Sequence, residues 1–259
     1  TLRSRGLGDV YKRQFIDIKR IEPETKSIKV RKIEFGEIYQ TQNLESVKEQ
    51  SSRCLDCGNP YCEWKCPLHN YIPDWLKLAQ VGSIHEAADL CHETNSFPEI
   101  CGRICPQEKL CEGACTLNTG YEAVTIGQIE KYITDKALSE GWKPKKLVES
   151  YSKKTVSIIG AGPAGLACAE NLIRRGVRCV VYDRYSQIGG LLTYGIPEFK
   201  LEKNIVIKRR EILEELGVEF VLNFEVDEKR MNEIEKNSDA IFLGPVSYTH
   251  LTLPTRCLV

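Results

Sequence analysis

A chain of 259 residues, 42% apolar and 28% charged, is long enough to bury one large or two ordinary cores without disulfide staples. Lysine plus arginine balance aspartate plus glutamate at 36 each, so the formal charge is zero and no basic cluster interleaves with aromatics; nucleic acid is not an expected partner. No apolar run reaches the roughly 18 residues of a membrane span, and the start lacks the apolar stretch of an export signal, which predicts a reducing, cytoplasmic setting with no membrane partner.

In chain order, residues 1–14 (TLRSRGLGDVYKRQ) and 245–259 (PVSYTHLTLPTRCLV, with Cys257) fit neither neighbour. They resemble translated adapter sequence and are expected to be foreign, which would leave the natural chain cut off inside a domain. The polar, Lys-rich residues 15–40 read as an extended arm with a short strand or two. Residues 43–50 predict a short helix delivering the chain to Cys54. Pro73 suits a first helical position ahead of Trp75, Leu76 and Ala79. A second helix is expected from Ser83, with Ile84, Ala87, Ala88 and Cys91 on one face and a Ser83-x-x-Glu86 capping box. Residues 125–139 repeat Ile126, Ile129, Ile133 and Leu138 near helical spacing, with Gly141 as the stop. Residues 41–141 thus form a small helical domain whose loops carry sulfur, and the polar stretch 142–154 is a linker.

The period then changes. Strands at 155–159, 178–182, 218–222 and 240–243 alternate with helices at 164–175 and 203–216, the pattern of a doubly wound parallel sheet over 155–244. The fold class is therefore α+β multidomain: a helical sulfur-bearing domain followed by a truncated α/β Rossmann-like domain.

Twelve cysteines include two tight runs. Cys54, Cys57, Cys62 and Cys66 are spaced C-x2-C-x4-C-x3-C; Cys101, Cys105, Cys111 and Cys115 are spaced C-x3-C-x5-C-x3-C. In a reducing compartment such runs point to metal or cluster ligation, since thiolates are soft ligands. Cys66-Pro67 and Cys105-Pro106 are similar to ferredoxin-type runs, where a proline follows a cluster cysteine. Zinc competes, because C-x2-C is also a zinc knuckle. However, only one C-x2-C occurs, and His69, His85 and His92 complete no finger spacing. Cys91, Cys168 and Cys179 sit on helix or strand positions that read as core.

Val156–Ile159 would run directly into Gly160-x-Gly162-Pro163-Ala164-Gly165 and then a helix, the context a dinucleotide fingerprint requires. Gly160 would make the tight turn, Gly162 would admit the pyrophosphate and Gly165 would let helix and strand pack. Asp183 closes the second strand, where a carboxylate can accept ribose hydroxyls. Gly189 and Gly190 form either a cofactor-side segment or a plain turn.

The residues Arg53-Cys54-Leu55-Asp56-Cys57-Gly58 through Tyr61-Cys62, then Cys66-Pro67-Leu68, Asn70 and Ile72-Pro73, resemble the opening of the glutamate synthase small (beta) subunit family. So do Cys101-Gly102-Arg103-Ile104-Cys105-Pro106 through Cys111-Glu112-Gly113 and Cys115. The N-terminal half of dihydropyrimidine dehydrogenase and related NADPH-linked ferredoxin oxidoreductase subunits share this arrangement. The resemblance covers about residues 15–244. It implies two 4Fe–4S clusters with interleaved ligands: Cys54, Cys57, Cys62 and Cys115 on one, and Cys66, Cys105 and Cys111 on three corners of the other. For the eighth ligand it aligns Glu130 best and makes Cys101 a nearby non-ligand thiol; Cys101, local in sequence, and Gln128, on the same helix as Glu130, are the alternatives. It further implies FAD at the glycine loop, with Gly189-Gly190-Leu191-Leu192 and Lys200 on the flavin side. Residues 239–244 would be a strand returning to the flavin. No second GxGxxG follows Gly165, so an NADPH domain would lie outside this sequence. The implied function is the electron-input module of an NADPH-dependent oxidoreductase. The implied partner is the glutamate synthase large subunit or another electron-accepting subunit. A zinc-stabilised binding module on a Rossmann-like domain is the competing class.

Overall fold

The computed structural model describes residues 14–245; most of both end segments expected to be foreign, Cys257 included, lies outside the described residues. Two compact units emerge, one from residues up to Pro144 together with Pro197–Glu202, the other from Lys145–Ile196 and the residues from Lys203 onward.

The first unit is helical. Its arm holds two single-turn helices, α1 (Gln14–Asp17) and α2 (Ile28–Arg31), and one isolated antiparallel bridge, Thr25 to Tyr39. No strand forms there, against the expectation. Tertiary hydrogen bonds hold the arm instead: Gln50 Nε2 donates to the Lys19 carbonyl at 3.0 Å, and Arg53 Nε donates to that of Ile18 at 3.0 Å. Helix α3 (Leu44–Ser52) starts where Asn43 Oδ1 accepts the Ser46 N–H at 2.8 Å, a side-chain cap.

A short helix, α4 (Tyr61–Lys65), lies inside the first cysteine run. Then come α5 (Ile72–Val81), with Pro73 in its first turn, and α6 (Ile84–Thr94). Gly82, at φ +87°, ends α5 only two residues before α6 begins. That tight turn leaves Ser83 at ψ 70° with no side-chain cap bond. The expected capping box is therefore not made, because a capping side chain needs an extended backbone.

Helix α7 (Pro98–Ile104) was not foreseen; α8 (Ile126–Ser139) matches its prediction, and Gly141 follows it at φ +83°. Helices α7 and α8 pack so closely at Gly102 that a Cβ there would lie 2.7 Å from the Gly127 carbonyl and from the Lys131 nitrogen. An ionic clamp spans the same contact: Arg103 donates to both Asp135 oxygens at 2.9 and 2.6 Å and to Glu37 at 3.1 Å. Val47, Trp75, Leu76, Ala79, Ile129 and Ile133 form the core between α3, α5 and α8. Cys91 is fully buried there, as read from its helix face. Trp142, assigned to the linker by composition, is buried on the His92 ring and donates to Asp89 Oδ1 at 3.0 Å.

The second unit is the expected parallel sheet, ordered β3-β2-β1-β4, with β1 (Thr155–Ile159), β2 (Arg178–Tyr182), β3 (Glu219–Val221) and β4 (Ala240–Leu243). Helices α9 (Pro163–Arg174) and α11 (Lys203–Leu216) make the crossovers with α12 (Glu228–Lys236); α10 (Leu191–Tyr194) is one turn. Cys179 is buried beneath α9, its thiol 3.6 Å from the Ala169 carbonyl. No helix among the described residues is long and apolar enough to cross a membrane.

Candidate iron–sulfur and nucleotide sites

In the first unit, Cys54, Cys57, Cys62 and Cys115 line one pocket whose other walls include Leu55, Pro60, Pro73, Leu76, Val124 and Ile126. Local chain geometry sets each thiol. Asp56 takes a left-handed φ of +56°, closing the C-x2-C turn, and aspartate is among the residues that tolerate it. Cys62 is carried by α4, and Cys115 leads into a single 3₁₀ turn, Thr116–Asn118. Burial pushes the Cys62 thiol up to about 12, and the neighbouring Cys115, Cys54 and Cys57 charges push the same way. Such thiols give up their protons when a cationic metal centre compensates the charge.

The second group is built at helix ends. Cys66 terminates α4 and Cys105 terminates α7, both with extended backbones, ψ 124° and 141°. The following prolines, Pro67 and Pro106, force that conformation, since proline excludes the helical region for its predecessor. Burial raises the Cys111 thiol, with the Glu130, Glu112 and Cys66 charges adding to it. Glu130, on α8, is 8% exposed; burial drives its carboxyl well above the ordinary carboxylate value, helped by the Cys101 charge. Its Oε1 accepts from Asn70 Nδ2 at 3.0 Å and from Asn95 Nδ2 at 3.2 Å. The Cys101 thiol is raised well above its ordinary value, first by the neighbouring Cys105 and then by burial.

Both leading candidates for the eighth ligand, Glu130 and Cys101, thus lie among the second group. Gln128 does not share the face of Glu130, being two residues away on the same helix. Among the described residues, no three His, Cys, Asp or Glu side chains converge tightly enough for a single ion. Four cysteines line one pocket, the number of thiolates a 4Fe–4S cluster takes, each on a separate iron.

In the second unit, β1 is followed by Gly160 at φ +101°, and α9 begins at Pro163. A Cβ on Gly165 would lie 1.9 Å from the Gly160 carbonyl oxygen, whereas one on Gly162 would meet nothing within 4 Å. Gly165 is therefore the packing glycine and Gly162 faces open space. A cavity of about 260 Å³ lies over the loop, lined among others by Gly160, Gly162, Asp183, Gly190, Phe224 and Gly244.

Asp183, read as a ribose acceptor, also braces the loop: Oδ2 accepts the Ala161 N–H at 2.7 Å, and Oδ1 accepts that of Tyr185 at 2.9 Å. Gly189 and Gly190 are both left-handed, at φ +103° and +53°, and the Gly189 N–H donates to the Ala161 carbonyl at 2.7 Å. The pair is thus docked on the glycine loop. Pro163 and Ala164 open α9; Leu191 opens α10 and is largely exposed. Leu191 and Lys200 are not among the cavity residues, and Lys200 groups with the first unit. Phe224, Glu225 and Val226 were missed from sequence; the signal available was their place after β3, at the carboxyl edge of a parallel sheet.

Residues 31–142 match the family model described as dihydropyrimidine dehydrogenase domain II, 4Fe–4S cluster. Residues 158–203 match an NAD(P)-binding Rossmann-like domain. The chain therefore joins a 4Fe–4S domain to a nucleotide-binding domain. It is 57% identical over 91% of its length to the glutamate synthase [NADPH] small chain of Escherichia coli strain K12, covering 50% of that protein. For the same-named protein of Halomonas elongata the values are 54%, 92% and 51%. The small chain of Azospirillum brasilense is 45% identical over 94% of this chain and 50% of its own. The chain spans about half the length of the curated relatives it matches.

Proposed function

We propose that this chain, similar over about nine tenths of its length to glutamate synthase small chains, is a member of that family and forms the electron-input part of an NADPH-dependent oxidoreductase. FAD bound at the glycine loop and two 4Fe–4S clusters would supply the redox chemistry, accepting hydride at the flavin and moving single electrons between the clusters.

The chain's own residues bind, orient and shield. Cys54, Cys57, Cys62 and Cys115 would hold one cluster; Cys66, Cys105, Cys111 and Glu130 would hold the other. Gly160, Gly162, Pro163, Ala164 and Gly165 would receive the pyrophosphate at the N-terminus of α9, where free N–H groups and the helix dipole favour anions. Asp183 keeps lone pairs for ribose hydroxyls while it braces the loop, and Gly189, Gly190 and Leu191 would flank the flavin side. Apolar walls such as Leu76 and Ile126 would keep water from the first cluster. The NADPH site would lie in the half of the relatives that this chain does not span. The electron acceptor would be a glutamate synthase large subunit, in the cytoplasm.

The single observation that carries the cluster assignment is the gathering of four cysteines from two separate runs around one pocket. Metal and acid-labile sulfide analysis of anaerobically prepared protein tests it. About eight irons and eight sulfides per chain are expected; two zincs without sulfide would overturn the assignment.

A further inference from the structure

The buried surroundings of Glu130 contain a set of contacts that no cluster cysteine explains. Asn70 precedes α5 and Asn95 follows α6, far apart in sequence. Both are buried, at 2% and 4% exposure, and both aim an amide donor at the same carboxylate oxygen, Glu130 Oε1, at 3.0 and 3.2 Å. Glu130 Oε2 accepts no hydrogen bond among the described residues, so both amide donors fall on the other oxygen. A carboxylate held at one oxygen keeps the lone pairs of the other for a ligand.

Each asparagine is itself fixed. Thr94 Oγ1 donates to Asn70 Oδ1 at 3.2 Å, and the Phe97 N–H donates to Asn95 Oδ1 at 2.9 Å. The Phe97 N–H, which can only donate, settles the Asn95 amide with its NH₂ facing Glu130, and the Thr94 hydroxyl accompanies the same orientation of Asn70. The same Asn95 oxygen accepts the Cys101 thiol at 3.6 Å. Cys101 is thus engaged as a donor beside the carboxylate.

We infer that Asn70 and Asn95 are positioning residues that hold one oxygen of Glu130 and leave the other to ligate iron in the cluster of Cys66, Cys105 and Cys111. The inference rests on the proposed ligation by Glu130 and deepens it. Outer partners of this kind fix the orientation of a ligating carboxylate.

The test uses anaerobically prepared protein, low-temperature EPR in oxidised and reduced states, and iron counting. Asn95→Asp keeps an acceptor for Phe97 and Cys101 but removes the donor to Glu130; Asn70→Ala removes the other donor. In each variant, and more fully in the double variant, the second cluster is expected to lose its Glu-held iron and show a three-iron signal when oxidised. The signal of the first cluster stays unchanged and reports that the fold persists. Four-iron signals unchanged in Asn95→Asp and Asn70→Ala, with Glu130→Ala altering the second cluster, would overturn the positioning role alone. An unchanged Glu130→Ala spectrum would overturn the ligation on which it rests. If the double variant loses both signals, the single variants decide.

Discussion

Replacing Gly165 and Gly162 separately by alanine distinguishes two duties that the glycine fingerprint merges. A Cβ at Gly165 would sit 1.9 Å from the Gly160 carbonyl oxygen and 3.2 Å from Ile158 Cγ2. Real contacts of this kind stay beyond 3.0 Å, so α9 must retreat from β1 by about 1 Å. Overpacking of this severity costs about 1–3 kcal/mol. At Gly162 the backbone is at φ −75° with nothing within 4 Å, so alanine fits without strain; removing glycine from the unfolded chain stabilises by about 0.4–1 kcal/mol. Trp64, Trp75 and Trp142 all belong to the first unit, so tryptophan emission cannot follow this one. Hydrogen exchange of the β1 and α9 amides can. Exchange should quicken roughly five- to 150-fold in Gly165→Ala, which is that energy expressed as an equilibrium. In Gly162→Ala it should hold or slow while flavin content falls. Equal exchange in the two variants would refute the division of roles.

Other consequences follow from the same geometry. Arg53 is 1% exposed and donates to the carbonyls of Ile18, Ala123, Tyr121 and Glu122. Arg53→Met strands these acceptors and should cost the first unit about 3 kcal/mol or more, read from urea unfolding by tryptophan emission; a loss under about 1 kcal/mol would contradict it. Asp183→Asn places an NH₂ against one of two backbone donors, so flavin content should drop and the Ala161 and Tyr185 amides should exchange faster; wild-type behaviour in both would remove the brace. Glu140 lies below its ordinary 4.5 because Lys136, then His85, hydrogen-bond it. Its small contribution is therefore complete above about pH 4.5 and is lost as pH falls through the lower folded value. Lys136→Gln should raise that titration, followed by the Glu140 side-chain NMR shift, and an unmoved midpoint would count against the pair.

The sheet was legible because its strands alternate with helices of ordinary amphipathic spacing, and β1, β2 and β4 fall where the pattern puts them. What escaped was structure made by tertiary contact. Helix α12 reads EKRMNEIEK and buries only Ile234, too thin a stripe for periodicity to register. Helix α7 holds a glycine that lowers its propensity, and it stands because Gly102 lets it lie against α8. The arm looked strand-like in isolation, but its Ile18 and Lys19 carbonyls are taken by the buried Arg53 and Gln50 side chains instead of a strand partner. The cysteine runs announced sulfur chemistry at once. Spacing alone could not have sorted thiols between two sites, since Cys62 and Cys66 are near neighbours in sequence while Cys115 joins Cys62 from more than fifty residues away. Asn70 stood in the sequence only as part of the family resemblance and Asn95 carried no signal; the fold brings both to one oxygen.

Cysteine-to-serine exchange followed by low-temperature EPR of the reduced protein tests the interleaved assignment most directly. Cys62→Ser and Cys115→Ser, from different runs, should alter the same cluster signal, and Cys66→Ser and Cys111→Ser should alter the other. Signals that instead sort by run, with Cys62 paired to Cys66 and Cys111 to Cys115, would contradict the account.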